Sequence, residues 1–330
     1  QMFDGYIGFS VDYYNTNTSN MLLYVPVPLL TGYSTSLQNL GKVNNRGWEL
    51  ALTSQHTFAN GFGYSFNANY AKNTNEVKEL GPGNAPIISS GSVGHAYYIT
   101  EVGKPIGNYY LLVQDGIFAT EEDLKKYPHF DNTEVGDFRF VDVDGDGKLD
   151  LDKDRTICGN YMPKFTYGFG GKLWYAGFDM DFNFQGVYGN KILNLNKRYL
   201  DNMEGNTNGT KIALDRWKSP ENPGSGSVNK ANRKQTGYNS RTSTWHLESG
   251  SYLRLQNLSL GYTLPRALTQ KFKVEKMRVY VSGQNLFTIT NYSGYNPEVN
   301  ARPSKNLTPG EDYGTYPLAR TYMFGLNITL

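Results

Sequence analysis

Eight segments of this chain alternate apolar and polar side chains along the sequence. A period of two residues is typical of β-strands, because successive side chains point to opposite faces of a sheet. Each segment has about ten residues, which is the length that a tilted strand needs to cross a bilayer. The segments are 5–14, 46–55, 62–70, 165–175, 178–187, 251–264, 276–288 and 321–330.

The connections between these strands alternate in length. The short ones are 56–61, 176–177 and 265–275, and the long ones are 15–45, 71–164, 188–250 and 289–320. Outer-membrane barrels have tight turns on the periplasmic side and long loops on the extracellular side. If Leu330 ends in the periplasm, every long connection is external. The sequence therefore predicts an all-β fold, an antiparallel transmembrane β-barrel over 1–330 with four long extracellular loops.

The segment 178–187 shows what the two faces of such a barrel would contain. Its apolar side chains are Phe178, Met180, Phe182 and Phe184, and its polar ones are Asp179, Asp181, Asn183 and Gln185. We expect the apolar set to face lipid and the polar set to face an aqueous lumen. A soluble β-sandwich also alternates, but its strands are shorter and evenly spaced, and it rarely contains loops of about 60 to 90 residues.

Composition removes several other classes of protein. No segment approaches the roughly 18 consecutive apolar residues of a membrane helix, which excludes a helical membrane protein. The net charge is +2 and the basic residues are scattered, so no nucleic acid partner is expected. A single cysteine, Cys158, rules out intrachain disulfides. The four histidines are isolated in sequence, and no nucleophile–base constellation indicates an enzyme.

The first residues, QMFDGYIGFSVDYY, have the pattern of a strand and lack the basic and apolar regions of a signal peptide. We expect either a processed N-terminus or the C-terminal piece of a longer chain. Within the longest loop, 120–127 is predicted to form a short helix with Thr120 as its N-cap.

An acidic segment, DVDGDGKLD, follows the spacing of a calcium-binding loop. Asp142, Asp144 and Asp146 occupy positions 1, 3 and 5, and Gly147 provides the sharp turn. Position 12 is Lys153, which cannot be a ligand. The predicted ligands of Ca²⁺, or of Mg²⁺ as the second choice, are Asp142, Asp144, Asp146, the backbone carbonyl of Lys148, and either Asp150 or Asp154. The alternative is a polar Asp/Gly turn in an external loop, and in either case the role is structural.

The long loops also contain Trp217, Trp245 and many tyrosines. Aromatic faces at the mouth of a barrel can stack on sugar rings or hold a protein partner. They can equally pack the loops against one another, and the sequence leaves these alternatives open.

Five segments, spread over nearly the whole chain in the same order, resemble the SusC/RagA family of TonB-dependent outer-membrane transporters of Bacteroidetes. They are VDYYNTNTSNMLLYVPVPLLTGYSTSLQNLGKVNNRGWELAL, GDFRFVDVDGDGKLDLDKDRTICGNYMPKFTYGFGGKLWYAGFDMDFNFQGVYGNKILN, SYLRLQNLSLGYTLP, VYVSGQNLFTITNYSGYNPEV and YPLARTYMFGLNITL. The chain departs from the family in the acidic loop, which has a one-residue insertion before its closing aspartate. It also ends in Leu330, where an aromatic residue is common.

The resemblance implies a 22-stranded barrel with an N-terminal plug, of which this chain is similar to the C-terminal third, with about eight strands and no plug. It implies import of a large nutrient, most often an oligosaccharide, powered by the TonB complex through the missing N-terminal part. A SusD-like lipoprotein would cover the barrel mouth, and outer-membrane lipid would surround the wall. The alternatives are import of oligopeptides, or a self-contained small barrel with a structural or adhesive role.

Overall fold

The computed structural model describes residues 6–27, 29–33, 35–93, 95–234 and 237–330. The strands in these ranges are β1 (Ile7–Pro26), β2 (Thr35–Thr57), β3 (Gly63–Glu79), β4 (Ile87–Ser90), β5 (Tyr97–Thr100), β6 (Asn108–Leu112), β7 (Gln114–Ile117), β8 (Phe138–Phe140), β9 (Arg155–Asn160), β10 (Phe165–Tyr175), β11 (Phe178–Tyr188), β12 (Lys191–Asn194), β13 (Leu247–Ser249), β14 (Tyr252–Thr263), β15 (Lys276–Thr290), β16 (Glu311–Asp312) and β17 (Thr321–Thr329). The helices are α1 (Glu121–Lys126), α2 (Lys197–Leu200) and α3 (Arg266–Thr269), with 3-10 turns at Leu29–Thr31, Pro82–Asn84, Lys211–Asp215, Thr244–His246 and Gln270–Phe272.

Eight long strands form one antiparallel sheet in the order β1-β2-β3-β10-β11-β14-β15-β17. Each of the eight predicted segments overlaps one of these strands and extends past it by at most one described residue at either end, and Gly5, the first residue of the first segment, lies outside the described residues. The all-β architecture is therefore confirmed. Within the described ranges β1 and β17 each have one neighbour in this sheet and do not pair with each other, so the sheet is open.

The register of the sheet places apolar side chains together on one face. Pairs on this face include Phe9–Leu52, Leu50–Tyr70, Phe169–Phe184, Leu260–Val281 and Val281–Phe324. Much of the face is open, and Phe324 has 85% of its surface exposed. The other face is polar, with pairs such as Asn69–Gly168, Lys172–Asp181 and Asp181–Ser259. Such a sheet needs an apolar medium on one side and water on the other.

The predicted connection 15–45 is wrong in its bounds, because most of it is paired strand. β1 runs to Pro26 and β2 begins at Thr35, and their pairing continues through two register shifts, one on each side of Met21. Amides join the two strands here, since Asn44 Nδ2 donates to Asn15 Oδ1 at 2.6 Å and to Asn17 Oδ1 at 2.9 Å. Polar cross-strand contacts thus continue the hairpin where the apolar alternation has ended.

The short connections lie where the sequence predicted them. Between β10 and β11 only Ala176 and Gly177 remain, with φ angles of 49° and 88°. Two consecutive positive φ values are typical of the tight hairpin turn whose twist matches that of its strands. Residues 58–62 connect β2 to β3, and residues 264–275, which include α3, connect β14 to β15.

The three remaining connections, 80–164, 189–251 and 291–320, form a packed unit that we call the loop layer. It contains three small sheets, with strand orders β4-β5-β6-β9, β7-β8 and β13-β12-β16. Most of the buried apolar side chains lie here, including Tyr98, Tyr109, Leu111, Leu193 and Leu195. The hydrophobic core that the structure describes is therefore concentrated outside the large sheet.

The predicted helix in the longest connection is confirmed as α1. The Thr120 hydroxyl accepts a hydrogen bond from the Asp123 N–H, and the Asp123 carboxylate accepts one from the Thr120 N–H, which completes a capping box. This helix has 6 residues. Within the described ranges, none of the helices has the length and apolar character of a membrane-spanning helix.

Candidate functional sites

The acidic loop connects β8 to β9 in the loop layer. Carboxylate oxygens of Asp142, Asp144 and Asp146 all lie within 4.8 Å of one another. Asp142 is half-buried, whereas Asp144 and Asp146 are exposed. The structure therefore brings together the carboxylates at positions 1, 3 and 5 of the predicted calcium loop.

Backbone N–H groups of the loop hold these carboxylates in place. Asp142 accepts hydrogen bonds from the N–H groups of Gly145 at 2.7 Å and Gly147 at 2.8 Å. Asp146 accepts one from the Lys148 N–H at 2.9 Å. The bond from Gly147, followed by the one from Gly145, lowers the pKa of Asp142 below its usual value. The loop thus keeps Asp142 ionised, which is the form that binds a cation.

Asp154 has a different position from the three converging carboxylates. It is buried, and its two oxygens accept hydrogen bonds from the Val143 N–H at 2.8 Å and from the Asp150 N–H at 2.6 Å. Asp150 in turn accepts a hydrogen bond from the Asp152 N–H at 2.6 Å. Asp154 therefore ties the two ends of the loop together, a role that sequence reasoning did not assign to it. The sequence signal for this different role is that Asp154 lies one residue after position 12 of the calcium-loop pattern.

The arrangement has the oxygen donors that a hard divalent cation needs. Three carboxylates converge in an exposed loop, and the nearest ion pair to them is Lys153 Nζ with Asp146 Oδ2 at 3.7 Å. Ca²⁺ prefers oxygen ligands in a flexible, many-membered shell, whereas Mg²⁺ demands a strict octahedron. The residues present therefore fit Ca²⁺.

The connection 291–320 is anchored to the polar face of the large sheet through Glu298. This carboxylate accepts hydrogen bonds from Gln185 Nε2 at 2.6 Å and from the Tyr252 hydroxyl at 2.5 Å, and it pairs with the Arg254 guanidinium. Arg254 also donates to Asn296 Oδ1 at 2.7 Å. Loop and sheet are therefore joined by charge-assisted bonds on the side opposite the apolar face.

Trp217 and Trp245, which the sequence offered as possible contacts for sugar or protein, are both half-buried. The Trp217 indole donates to the Ala119 carbonyl at 3.2 Å. The Trp245 ring lies 5.1 Å from Phe138 and 4.3 Å from Lys197 Nζ. Both rings therefore pack the loop layer internally.

An open cavity of about 400 Å³ lies elsewhere in the loop layer, where α2 and the two ends of the connection 291–320 come together. Its lining includes Tyr295 and Tyr316, which have 81% and 88% of their surface exposed. Asn194, Asp201 and Ser293 contribute polar groups to the same lining. Sequence reasoning missed this cavity, because its walls come from segments about 100 residues apart.

Comparison with known proteins identifies what this sheet and loop layer belong to. A family model described as TonB dependent receptor-like, beta-barrel matches residues 1–286. The chain belongs to this family. The open sheet is accordingly part of an outer-membrane β-barrel of SusC/RagA type, as the resemblance implied.

Individual relatives support the same assignment over nearly all of the chain. TonB-dependent receptor P3 of Formosa agariphila is 34% identical over 340 residues, covering 99% of this chain and 33% of the relative. TonB-dependent receptor SusC of Bacteroides thetaiotaomicron is 26% identical, covering 98% and 30%. The solved structure of the RagAB peptide transporter is 25% identical with a TM-score of 0.78, covering 99% and 33%. The chain thus spans about one third of the length of the relatives it matches.

Proposed function

We propose that this chain forms the C-terminal part of a TonB-dependent transporter that imports a large nutrient, an oligosaccharide, across the outer membrane. The observation that carries the proposal is the open eight-stranded sheet, apolar on one face and polar on the other. Lipid would surround the apolar face, and the polar face would line an aqueous path. The family's 22-stranded barrel with a plug would supply the strands that β1 and β17 lack.

The proposed mechanism is transport rather than covalent chemistry. Relatives over the full length of this chain are named as receptors or transporters. Energy would come from the TonB complex through a segment outside this chain. A SusD-like lipoprotein would cover the loop layer, which supplies a packed surface for it.

Oligopeptide import is the second candidate, and it is favoured by the likeness to RagAB, which is described as a peptide transporter. The self-contained small barrel is disfavoured on physical grounds. Its first and last strands would have to pair, whereas β1 and β17 are at opposite edges of the sheet. Unpaired edges within lipid carry unsatisfied backbone groups that cost several kcal/mol each.

Uptake measurements in cells test whether the cargo is an oligosaccharide or an oligopeptide. Bacteria that carry the complete transporter, a deletion strain and a strain without TonB would be given fluorescent oligosaccharides or fluorescent oligopeptides of similar size. We expect uptake of oligosaccharide that depends on both the transporter and TonB. Uptake restricted to oligopeptides would support the second candidate, and uptake that persists without TonB would contradict the transport mechanism.

For the acidic loop we propose a structural Ca²⁺ site, supported by the convergence of Asp142, Asp144 and Asp146. The ion would supply charge neutralisation and cross-link the loop. The chain's own residues hold the three carboxylates through backbone hydrogen bonds and close the loop through Asp154.

A further inference from the structure

The connection 264–275, between β14 and β15, differs in charge from the other two short connections of the large sheet. Residues 58–62 and 176–177 contain no charged side chain. The connection 264–275 and the first residue of β15 together contain four cations and one anion, which are Arg266, Lys271, Lys273, Lys276 and Glu275. All five side chains are exposed. Positive charge is therefore concentrated at one of the three short connections, and we call residues 264–276 the basic turn.

Three cations of the basic turn have no anionic partner. Within the described residues, the side chains of Arg266, Lys271 and Lys273 take part in no ion pair or hydrogen bond. By contrast, Arg278, two residues into β15, pairs with Asp179 on the polar face of the sheet at 2.5 Å. The charges of Arg266, Lys271 and Lys273 are therefore available to an anionic ligand from outside the chain.

The basic turn is a folded element that leaves apolar side chains exposed. Its Val274 N–H donates to the Thr269 carbonyl at 3.2 Å, and both of these side chains are buried. Leu268 and Phe272 lie four residues apart, one in α3 and one in the 3-10 turn that follows it. They have 49% and 76% of their surface exposed. A short segment that combines cations with exposed apolar side chains is typical of an element at a membrane surface.

The basic turn lies beside the end of the apolar face of the sheet. An open groove of about 590 Å³ lies there, and its lining includes Met180, Leu260, Tyr262 and Val279. The rings of Phe178 and Tyr262 are 4.4 Å apart in the same lining. Aromatic rings at the end of an apolar face are typical of the boundary between hydrocarbon and headgroups. The cations thus lie beyond this boundary, at the level of headgroups, and the groove lies at the level of acyl chains.

The missing strands of a complete barrel would be added away from the basic turn. β14 has β11 and β15 as neighbours, and β15 has β14 and β17. New strands can pair only with β1 and β17, at the two edges of the sheet. We therefore expect the basic turn, and the groove where it crosses β11, β14 and β15, to be equally exposed in the complete barrel.

We propose that the basic turn binds the headgroup of an anionic phospholipid in the periplasmic leaflet of the outer membrane, with an acyl chain of the same lipid in the groove. Arg266, Lys271 and Lys273 supply positive charge to the phosphate, and Phe272 supplies apolar contact beside it. Charge complementarity favours an anionic lipid over a zwitterionic one. The site goes beyond the proposed function, because it does not depend on the cargo.

Native mass spectrometry of the full-length transporter measures binding of phosphatidylglycerol and of phosphatidylcholine with identical acyl chains. We expect the wild type to bind phosphatidylglycerol about tenfold more tightly, because each cation near a lipid surface contributes about fivefold. A double variant, Lys271→Gln with Lys273→Gln, should lose most of this preference. The matched control is Lys125→Gln with Lys126→Gln, which removes the same charge from two exposed lysines of α1 in the loop layer. Heat-modifiable migration checks that every variant has assembled.

A further variant, Phe272→Gln, keeps the cations and should weaken both lipids to a similar extent, because the apolar contact does not depend on the headgroup. A wild type without preference, or the same preference in both double variants, would overturn the site. Inorganic phosphate that displaces phosphatidylglycerol at equal concentration would indicate a site for a free anion and contradict the lipid. Dissociation of transporter copies in the Lys271→Gln, Lys273→Gln protein, with its lipid preference unchanged, would assign the basic turn to a protein interface instead. None of these outcomes bears on the proposed cargo.

Discussion

The three converging carboxylates of the acidic loop repel one another, and a divalent cation relieves that repulsion while it fixes the loop. We expect Asp144→Asn and Asp146→Asn each to weaken Ca²⁺ binding by roughly tenfold or more, because each removes one charged ligand. Terbium luminescence of the full-length protein, with competition by Ca²⁺, measures the change. The matched control is Asp152→Asn in the same loop, whose side chain is 91% exposed and outside the converging group. Equal affinity in all three variants would remove the site.

His246 gives the loop layer a dependence on pH. It is fully buried, and burial, followed by the charges of Lys197 and Arg198, lowers its pKa to about 3. Unfolded histidine has a pKa of about 6.5, so the unfolded state binds the proton first and stability falls as the pH drops below that value. At pH 5 the loss relative to pH 7 should be about 2 kcal/mol.

Limited proteolysis of the loop layer at pH 7 and at pH 5 measures this loss. His246→Gln cannot take up a proton there, so we expect its cleavage rate to change much less between the two pH values. His129→Gln, which replaces an exposed histidine elsewhere in the loop layer, should keep the wild-type dependence. A His246→Gln protein with the same pH dependence as the wild type would contradict the assignment.

At the scale of elements, β11 has one set of side chains that we expect to face lipid and another that we expect to face the lumen. Phe182 pairs with Gly171 and Leu258 on the apolar face, whereas Asn183 pairs with Gly170 and Asn257 on the polar face. We expect Phe182→Arg to destabilise the barrel by about 2–4 kcal/mol if it lies near the bilayer midplane, and Asn183→Arg to cost little. Denaturant titration of the full-length protein in lipid vesicles measures both. Equal destabilisation by the two variants would reverse the assignment of the faces.

The long strands of the sheet were predictable because their apolar and polar residues alternate with a period of two. The extension of β1 to Pro26 was not, since Asn15, Asn17 and Asn44 pair by amide hydrogen bonds that leave no apolar pattern. The small sheets were also missed, because β16 pairs with β12 from more than 100 residues away. Register between such distant segments is not encoded in local periodicity.

The candidate sites show the same difference between features that are local in sequence and features that distant segments form together. Spacing alone located the convergence of Asp142, Asp144 and Asp146, since the ligands of such a loop are close in sequence. Spacing offered Asp150 and Asp154 equally as the closing ligand, because both are aspartates at the end of the loop. It could not show that Asp154 is buried and accepts hydrogen bonds from the loop's own backbone. The sequence could not single out Tyr295 among the many tyrosines, because its place in the wall of a cavity depends on the fold.

At the scale of the whole molecule, the open sheet determines what this chain can do by itself. β1 and β17 lie at its two edges, and each presents unpaired backbone groups along one side. Lipid offers no hydrogen bonds to such groups, and closure would require β1 and β17 to meet. We therefore predict that residues 1–330, produced alone and folded in detergent, give no closed barrel.

Heat-modifiable migration in electrophoresis and resistance to protease measure this directly, because closed outer-membrane barrels show both properties. The full-length transporter, refolded under the same conditions, is the control and should show both. Residues 1–330 alone should migrate at the same position with and without heating and be cleaved throughout the sheet. A protease-resistant, heat-modifiable monomer made from residues 1–330 would mean that β1 and β17 can pair. The chain would then be a self-contained eight-stranded barrel, and its polar face would enclose a lumen too narrow for a large nutrient.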